Sequence, residues 1–531
     1  MHFFTLRLPT LALAALLAGC QRHADDRQLP APQPGSTDPV SAQQLDATIW
    51  QHLRADNKFE WSSQPDNAIW SAALLRDSVL AVGYRPAGFA VGTALPDAPA
   101  QRAEWQAARA QVLAVVLEEE RRANPRLTTA QVIAFEENVL PVLDVRITQL
   151  STVRRLRALN LVRYAEPMAY EPRPLHDEAN AQKTTAGRTA SSLSDSGCSL
   201  DPADNTLVAG PDYTLLGGAK SSWNQADQYH GIRSAWGQAS GAGIKLLVID
   251  SGCALSQDGL NAGFNQGLSA GRTMEHLVTL PRNTFLGISY GDTPTPDDDC
   301  GHGTSMVATA TAPRGTNGAA VGIAYNASAV TVHASSDVFL DESREVKGAA
   351  DAFTLAAGRA DVRIISLSMG RLTSSSQLGD ALQYAYQRGK LIFCAAGTSF
   401  SWAAGWVGVI YPASLPEAIA CTGIKTDLAT RCDICHEGPK VEFAVVMEQA
   451  SGRHPLCLAL AGAVPATVGG SSVATSSMAG MAAVVWSKYP TETRDQIKAR
   501  LIAAASNRAN RSSTIGYGRV NLAAAVGAPV L

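Results

Sequence analysis

What most constrains this chain is V-G-G-S-S-V-A-T-S-S-M-A-G-M-A-A-V-V-W-S-K-Y, Val468 to Tyr489. It opens as a glycine turn and continues as a helix of small residues. Ala474, Ser476, Ser477, Ala479, Gly480, Ala482 and Ala483 let that helix pack close to neighbouring backbone. Ser472 stands where turn becomes helix, among the unpaired N–H groups and at the positive end of the dipole. An oxyanion formed by attack of Ser472 would meet its own backbone N–H. Read alone, the pattern is more often that of plain helix packing.

Two further stretches join it. In I-K-L-L-V-I-D-S-G, Ile244 to Gly252, a short apolar run rich in β-branched residues predicts a buried strand ending at Asp250 and a turn. In D-D-D-C-G-H-G-T-S-M-V-A-T-A-T-A, Asp297 to Ala312, His302 lies between two glycines and opens a second small-residue helix. An acid, a histidine and a serine, each at an element terminus, are the parts of a nucleophilic triad.

D-S-G at Asp250, H-G-T at His302 and G-S-S-V-A at Gly470 resemble the three catalytic signatures of the subtilisin-like serine proteases, the subtilases. The order Asp, His, Ser is that of subtilisin. I-S-L-S-M-G, Ile365 to Gly370, is similar to the family's substrate-binding strand. Y-P-A-S at Tyr411 is similar to its following turn, and G-Y-G-R-V-N at Gly516 to its closing motif. The resemblance spans about Trp223 to Val526. It implies a three-layer α/β fold with a largely parallel central sheet. Strands predicted at Ile244–Ile249, Ala329–His333, Val362–Met369, Leu391–Ala395 and Ala418–Gly423 alternate with helices, as that fold requires. Asp250 then falls at a strand's carboxyl end, where such sheets bind ligands.

The resemblance also implies roles. Ser472 is the nucleophile, His302 the general base, and Asp250 the residue that orients and stabilises the imidazole. Substrate would lie extended beside Ser368, Met369 and Gly370; the plainer reading of that segment is a core strand. Ala395, Ala396 and Gly397 would line the first specificity pocket. Thr398 stands where the family has the Asn that donates to the oxyanion, so the hole is expected to use Thr398 and the Ser472 N–H. Ser305 replaces a common histidine. A serine endopeptidase acting on polypeptides is the expected function, with no cofactor required. The alternative is an impaired subtilase fold that binds peptides, motivated by Thr398. Calcium is common in the family, but the loop Pro313–Ala320 has no carboxylate.

There are nine cysteines, eight without Cys20, and eight allow about 105 pairings. The implied fold places Cys253 and Cys300 beside the triad and Cys394 and Cys421 on neighbouring strands, two candidate bonds; reduced, buried cysteines are the alternative. C-D-I-C-H, Cys432 to His436, reads three ways: a disulfide, a c-type haem attachment, or, with His454 and Cys457, a zinc set.

Ahead of this region, Arg7 and the apolar run Leu11–Leu17 predict a signal peptide over residues 1–19. L-A-G-C resembles the bacterial lipoprotein signal, with Cys20 lipidated and Gln21 directing the anchor to the outer membrane; the alternative is an ordinary secretory signal. Both readings export the protein, to the outer membrane or as a periplasmic or secreted form. Residues 20–63 are polar, with Pro30, Pro32 and Pro34, and predict a flexible tether. Residues 75–171 alternate strands and helices as a small α+β domain. Its end, from Leu161, resembles the subtilase propeptide, a chaperone and inhibitor whose tail enters the active site; an unrelated accessory domain is the alternative. Residues 172–222 read as a linker holding the processing site, and 223–531 as the peptidase domain. With Cys20 lipidated, cutting the linker would leave the protease held only non-covalently, so that maturation can release it. The formal net charge of -3 gives no sign of a nucleic-acid partner, and no apolar run is long enough to span a membrane.

Overall fold

The computed structural model describes residues 33, 35–90, 92–136, 139–173, 197–198, 201–285, 287–399 and 405–527. The signal segment and Cys20 lie outside the described residues.

The expected tether is corrected at Ser41. Helix α1, Ala42–Asp56, begins there with a capping box between Ser41 and Gln44 and buries Leu45, Ile49, Trp50 and Leu53. Those positions recur at helical spacing, and S-x-x-Q is a helix start; the surrounding polar residues masked both signals. Helix α2, Asp66–Leu74, follows. Strand β1, Val79–Tyr84, then helix α3, Ala103–Ala123, lead to β2, Ile133–Phe135, and β3, Val142–Arg146. Helix α4, Leu150–Ala158, and β4, Val162–Pro167, complete an antiparallel four-stranded sheet in the order β2-β3-β1-β4. The capping box at Thr128 and Gln131 starts a single helical turn, Thr129–Val132, that gives way to β2.

Part of the expected linker is ordered on the C-terminal α/β region. Tyr213–Leu216 and Ala219–Ser222 form an antiparallel hairpin, and Cys198 is bonded to Cys300. The central sheet has seven strands, all parallel. They are β5 (Lys245–Asp250), β6 (Met274–Val278), β7 (Ser328–His333), β8 (Val362–Leu367), β9 (Leu391–Ala395), β10 (Ile419–Lys425) and β11 (Val441–Glu448). Their spatial order is β11-β10-β9-β8-β5-β7-β6. Both edge strands were missed in the sequence. Met274–Val278 mixes polar and apolar residues and is half-buried throughout; V-E-F-A-V-V-M-E carried a readable strand signal.

Helix α5, His302–Thr311, lies on one face of the sheet; α6, Ser343–Gly358, and α7, Ser376–Gln387, lie on the other. Helix α8, Gly470–Lys488, joins α5 and is buried from Gly470 to Trp486. Its small side chains allow this: a Cβ on Gly480 would stand 3.4 Å from the Ala310 Cα. The result is a three-layer α/β fold of the subtilisin type. Among the described residues, no helix is long and apolar enough to cross a membrane.

The α+β domain is docked on α7. Glu166 accepts from the Ser376 N–H at 2.9 Å and hydroxyl at 2.8 Å, placing a carboxylate at the helix's positive end. Arg163 grips Asp380 through two bonds, of 2.9 and 2.5 Å. Arg371, fully buried, pairs with buried Glu171 at 2.9 Å.

Candidate active site

Asp250 and His302 are hydrogen-bonded at the carboxyl end of the sheet, and Ser472 lines the same cavity as His302. Strand β5 ends on Asp250, α5 starts on His302, and Ser472 lies in the first turn of α8. The His302 Nδ1 is 2.7 Å from the Asp250 Oδ1. That oxygen also accepts the Ser251 N–H at 2.9 Å, so the carboxylate is fixed from two sides. Asp298 braces the same turn, accepting from Ser251 Oγ, Gly301 N–H and both the N–H and hydroxyl of Thr304. The glycines of D-S-G and H-G-T are steric requirements. A Cβ on Gly303 would stand 2.2 Å from the Gly252 carbonyl, and one on Gly252 2.6 Å from the Asp297 carbonyl.

Burial of His302 pushes its pKa down, but the Asp250 charge and hydrogen bond, with Asp201 and Asp298 behind them, outweigh that and leave it above the ordinary imidazole value. The Ser472 Oγ donates to the Ser368 carbonyl at 3.2 Å, and the Ser368 hydroxyl returns a bond of 3.2 Å to the Ser472 carbonyl.

A cavity of about 450 Å³ opens beside Ser472 and His302. Ser368, Met369, Gly370, Ala395, Gly397 and Thr398 line it. Ala396 does not: it is buried in the core, with its main chain paired to Cys421 and Ile410. The strand edge at Gly370 is also occupied. Its N–H donates to the Val338 carbonyl at 3.3 Å and its carbonyl accepts from the Leu340 N–H at 3.0 Å. An added substrate strand therefore has to displace Val338–Leu340 at Gly370 or stop short of it.

Among the lining residues the sequence did not assign to the cavity are Trp50 from α1, Asp201 from the former linker, Ser399, and His436, which was read only as part of C-D-I-C-H. Asp201 accepts from the Ser305 Oγ at 2.5 Å. No local pattern marks such a contact across about a hundred residues of chain.

Both cysteine expectations tied to the fold are corrected. Cys300 bonds Cys198, and Cys253 is free and buried. Cys394 and Cys421 are also free: Cys394 lies opposite Ala420 and Cys421 opposite Ala395, an offset of one that sends their side chains to opposite faces of the sheet. Cys432 is bonded to Cys435, so the zinc set is not assembled; His454 faces the Met447 carbonyl and Cys457 the Ser305 hydroxyl. Among the described residues, no group of His, Cys, Asp and Glu is gathered to hold a metal ion.

The sequence pattern of the subtilase family matches residues 241–518, more than half of the chain. Subtilisin DY of Bacillus licheniformis is 27% identical over 286 residues, covering 54% of this chain and 91% of that protein. A subtilisin of Bacillus sp. (strain TA39) is 26% identical over 292 residues, covering 51% of this chain and 64% of its own length. Among solved structures, MycP1 from Mycobacterium smegmatis covers 61% of this chain and 90% of its own at 20% identity and a TM-score of 0.45. A protease from Pseudoalteromonas arctica PAMC 21717 covers 60% and 98% at 21% identity and a TM-score of 0.46. Sheet and helices define a three-layer α/β fold with a cavity at the carboxyl end of its strands. The chain belongs to the subtilase family, and with that family it is a serine endopeptidase.

Proposed function

We propose that the chain hydrolyses peptide bonds through an acyl-enzyme formed on Ser472, and that it is made as a self-processing zymogen. The observation that carries this reading is the 2.7 Å contact between Asp250 and His302 at the rim of the cavity that Ser472 lines. His302 takes the Ser472 proton as the hydroxyl attacks the carbonyl, then gives it to the leaving amine. Asp250 keeps the proton-bearing nitrogen turned toward itself and stabilises the imidazolium. The docked α+β domain acts as propeptide, and the processing site lies in the 172–222 stretch. Export, with a lipid on Cys20 anchoring the propeptide to the outer membrane, belongs to the same reading.

A fluorophosphonate probe tests the nucleophile. Peptide mapping should find the adduct on Ser472. Its rate should fall as the pH drops through the His302 pKa, because only neutral imidazole accepts the proton. That limb should lie above the ordinary histidine value of about 6.5. An adduct elsewhere, or none, sinks the proposal.

Thr398 is the proposed oxyanion donor. Its Oγ1 accepts the Ser471 N–H at 3.0 Å and lies 2.9 Å from the Ser471 hydroxyl. When Ser471 donates that second bond, the Thr398 proton is left to point into the cavity. Thr398→Val should then lower kcat by about 10²-fold with KM little changed. An unchanged kcat in a steady-state peptide assay would leave the main-chain N–H groups as sufficient donors.

A further inference from the structure

The C-D-I-C-H stretch has no part in the chemistry above, yet it walls the cavity. The turn closed by Cys432 and Cys435 is paired to the segment that carries Thr398. The Ser399 N–H donates to the Ile434 carbonyl at 3.0 Å, the His436 N–H to the Gly397 carbonyl at 2.9 Å, and Thr398 bridges Cys435. The His436 ring is pressed on Gly397. A Cβ there would stand 2.4 Å from the Nδ1, and the Gly397 φ of +124° excludes other residues as well.

The hydrogen bonds of that ring fix its tautomer. Its Nδ1 is 2.7 Å from the Gly408 carbonyl and its Nε2 is 2.7 Å from the Ser399 Oγ. A carbonyl only accepts, so the Nδ1 carries the proton. The Nε2 is then an acceptor, and the Ser399 hydroxyl must spend its proton on it. Burial holds the ring neutral, with its pKa drawn down to about 4. What Ser399 offers the cavity is therefore lone pairs alone. The walls beside it are apolar, including Ile434, Val407 and Met369. Among the described lining residues the carboxylate is Asp201, which is turned to Ser305 on α5.

We propose that Ser399, oriented by His436 and the disulfide-closed turn, is a specificity-determining residue that selects substrates whose side chain on the acyl side of the scissile bond ends in an uncharged hydrogen-bond donor. A glutamine amide or a tyrosine hydroxyl fits; a methionine or phenylalanine fills the apolar walls but leaves the Ser399 acceptor unused. A lysine or arginine would bring a charge with no carboxylate on that wall to balance it. This inference rests on the protease reading above.

Four quenched peptides, identical except for Gln, Met, Tyr or Phe at that position, separate the cases. Rates are taken on processed enzyme, per site titrated with the fluorophosphonate probe. Wild type should show kcat/KM about 3- to 10-fold higher for Gln than for Met, and for Tyr than for Phe. Ser399→Ala should bring both ratios to about one or below while the titre of labelled Ser472 is retained, and Ser399→Thr, which keeps the hydroxyl, should restore them. Wild-type ratios at or below one, ratios untouched by Ser399→Ala, or labelling without cleavage of any peptide would overturn the inference. Absence of labelling on Ser472 overturns the protease reading itself and this inference with it.

Discussion

Ser472→Ala should leave the full-length chain uncut, while wild type splits once between Arg173 and Cys198. One end of that interval lines the cavity and the other is bonded to a residue that does. The Trp50 indole, which lines it, donates to the Arg173 carbonyl at 2.8 Å, and Gly197 lines it next to the Cys198–Cys300 bond. With its two flanks near the nucleophile, bringing a bond of that interval to Ser472 carries a low entropic cost. Losing the serine of such a triad lowers kcat by about 10⁶-fold. Self-cleavage needs only one turnover, so intact mass registers even a slow enzyme. The disulfide adds a signature: Cys198 should remain with the protease fragment before and after reduction, because the cut precedes it. If both proteins stay whole, the fold is a peptide-binding one. If both are cut alike, an outside protease made the cut.

Asp250, His302 and Ser472 were legible as candidates because local rules produce the element ends that carry them. A glycine that must let Gly303 pass Gly252, a strand ending on an acid, and a helix opening on a serine are all written within a few residues. The parallel sheet was legible for a similar reason, since buried strands and small-residue helices alternate with short connections. What escaped was set by distance. Nothing near Cys198 points to Cys300, and the offset between β9 and β10 that parts Cys394 from Cys421 exists only once the sheet is assembled. Asp201 and His436 reach the cavity by the same kind of long-range packing. The helix over Ala42–Asp56 is a different miss. Its four buried residues and its capping box were present in the sequence, but a polar, proline-rich neighbourhood outweighed them.

Glu171→Ala should let the processed propeptide leave the protease, whereas wild-type fragments should stay together. Glu171 is 1% exposed and accepts from Arg371, the Leu372 N–H at 2.8 Å, the Thr373 N–H at 3.2 Å and the Thr373 hydroxyl. Arg371 in turn donates to the Met168 carbonyl at 2.6 Å and the Glu171 Oε1 at 3.0 Å. Once the linker is cut, these groups belong to two chains, and separating them exposes what folding buried. Removing Glu171 alone leaves a buried guanidinium without its anion, a loss of about 3–5 kcal/mol, or on the order of 10²- to 10⁴-fold in affinity. Gel filtration of processed protein at micromolar concentration reads this directly. Wild type should elute as one complex, and Glu171→Ala as two species with more active enzyme. Glu171→Leu with Arg371→Met, which removes both charges, should bind more tightly than Glu171→Ala, because no unpaired ion remains. Cutting the linker is then not enough to free the enzyme from a lipid-anchored propeptide; a second event must break the Glu171–Arg371 contact or destroy the domain that carries it. Wild-type fragments that part unaided at micromolar concentration would reverse this and make cleavage itself the release step.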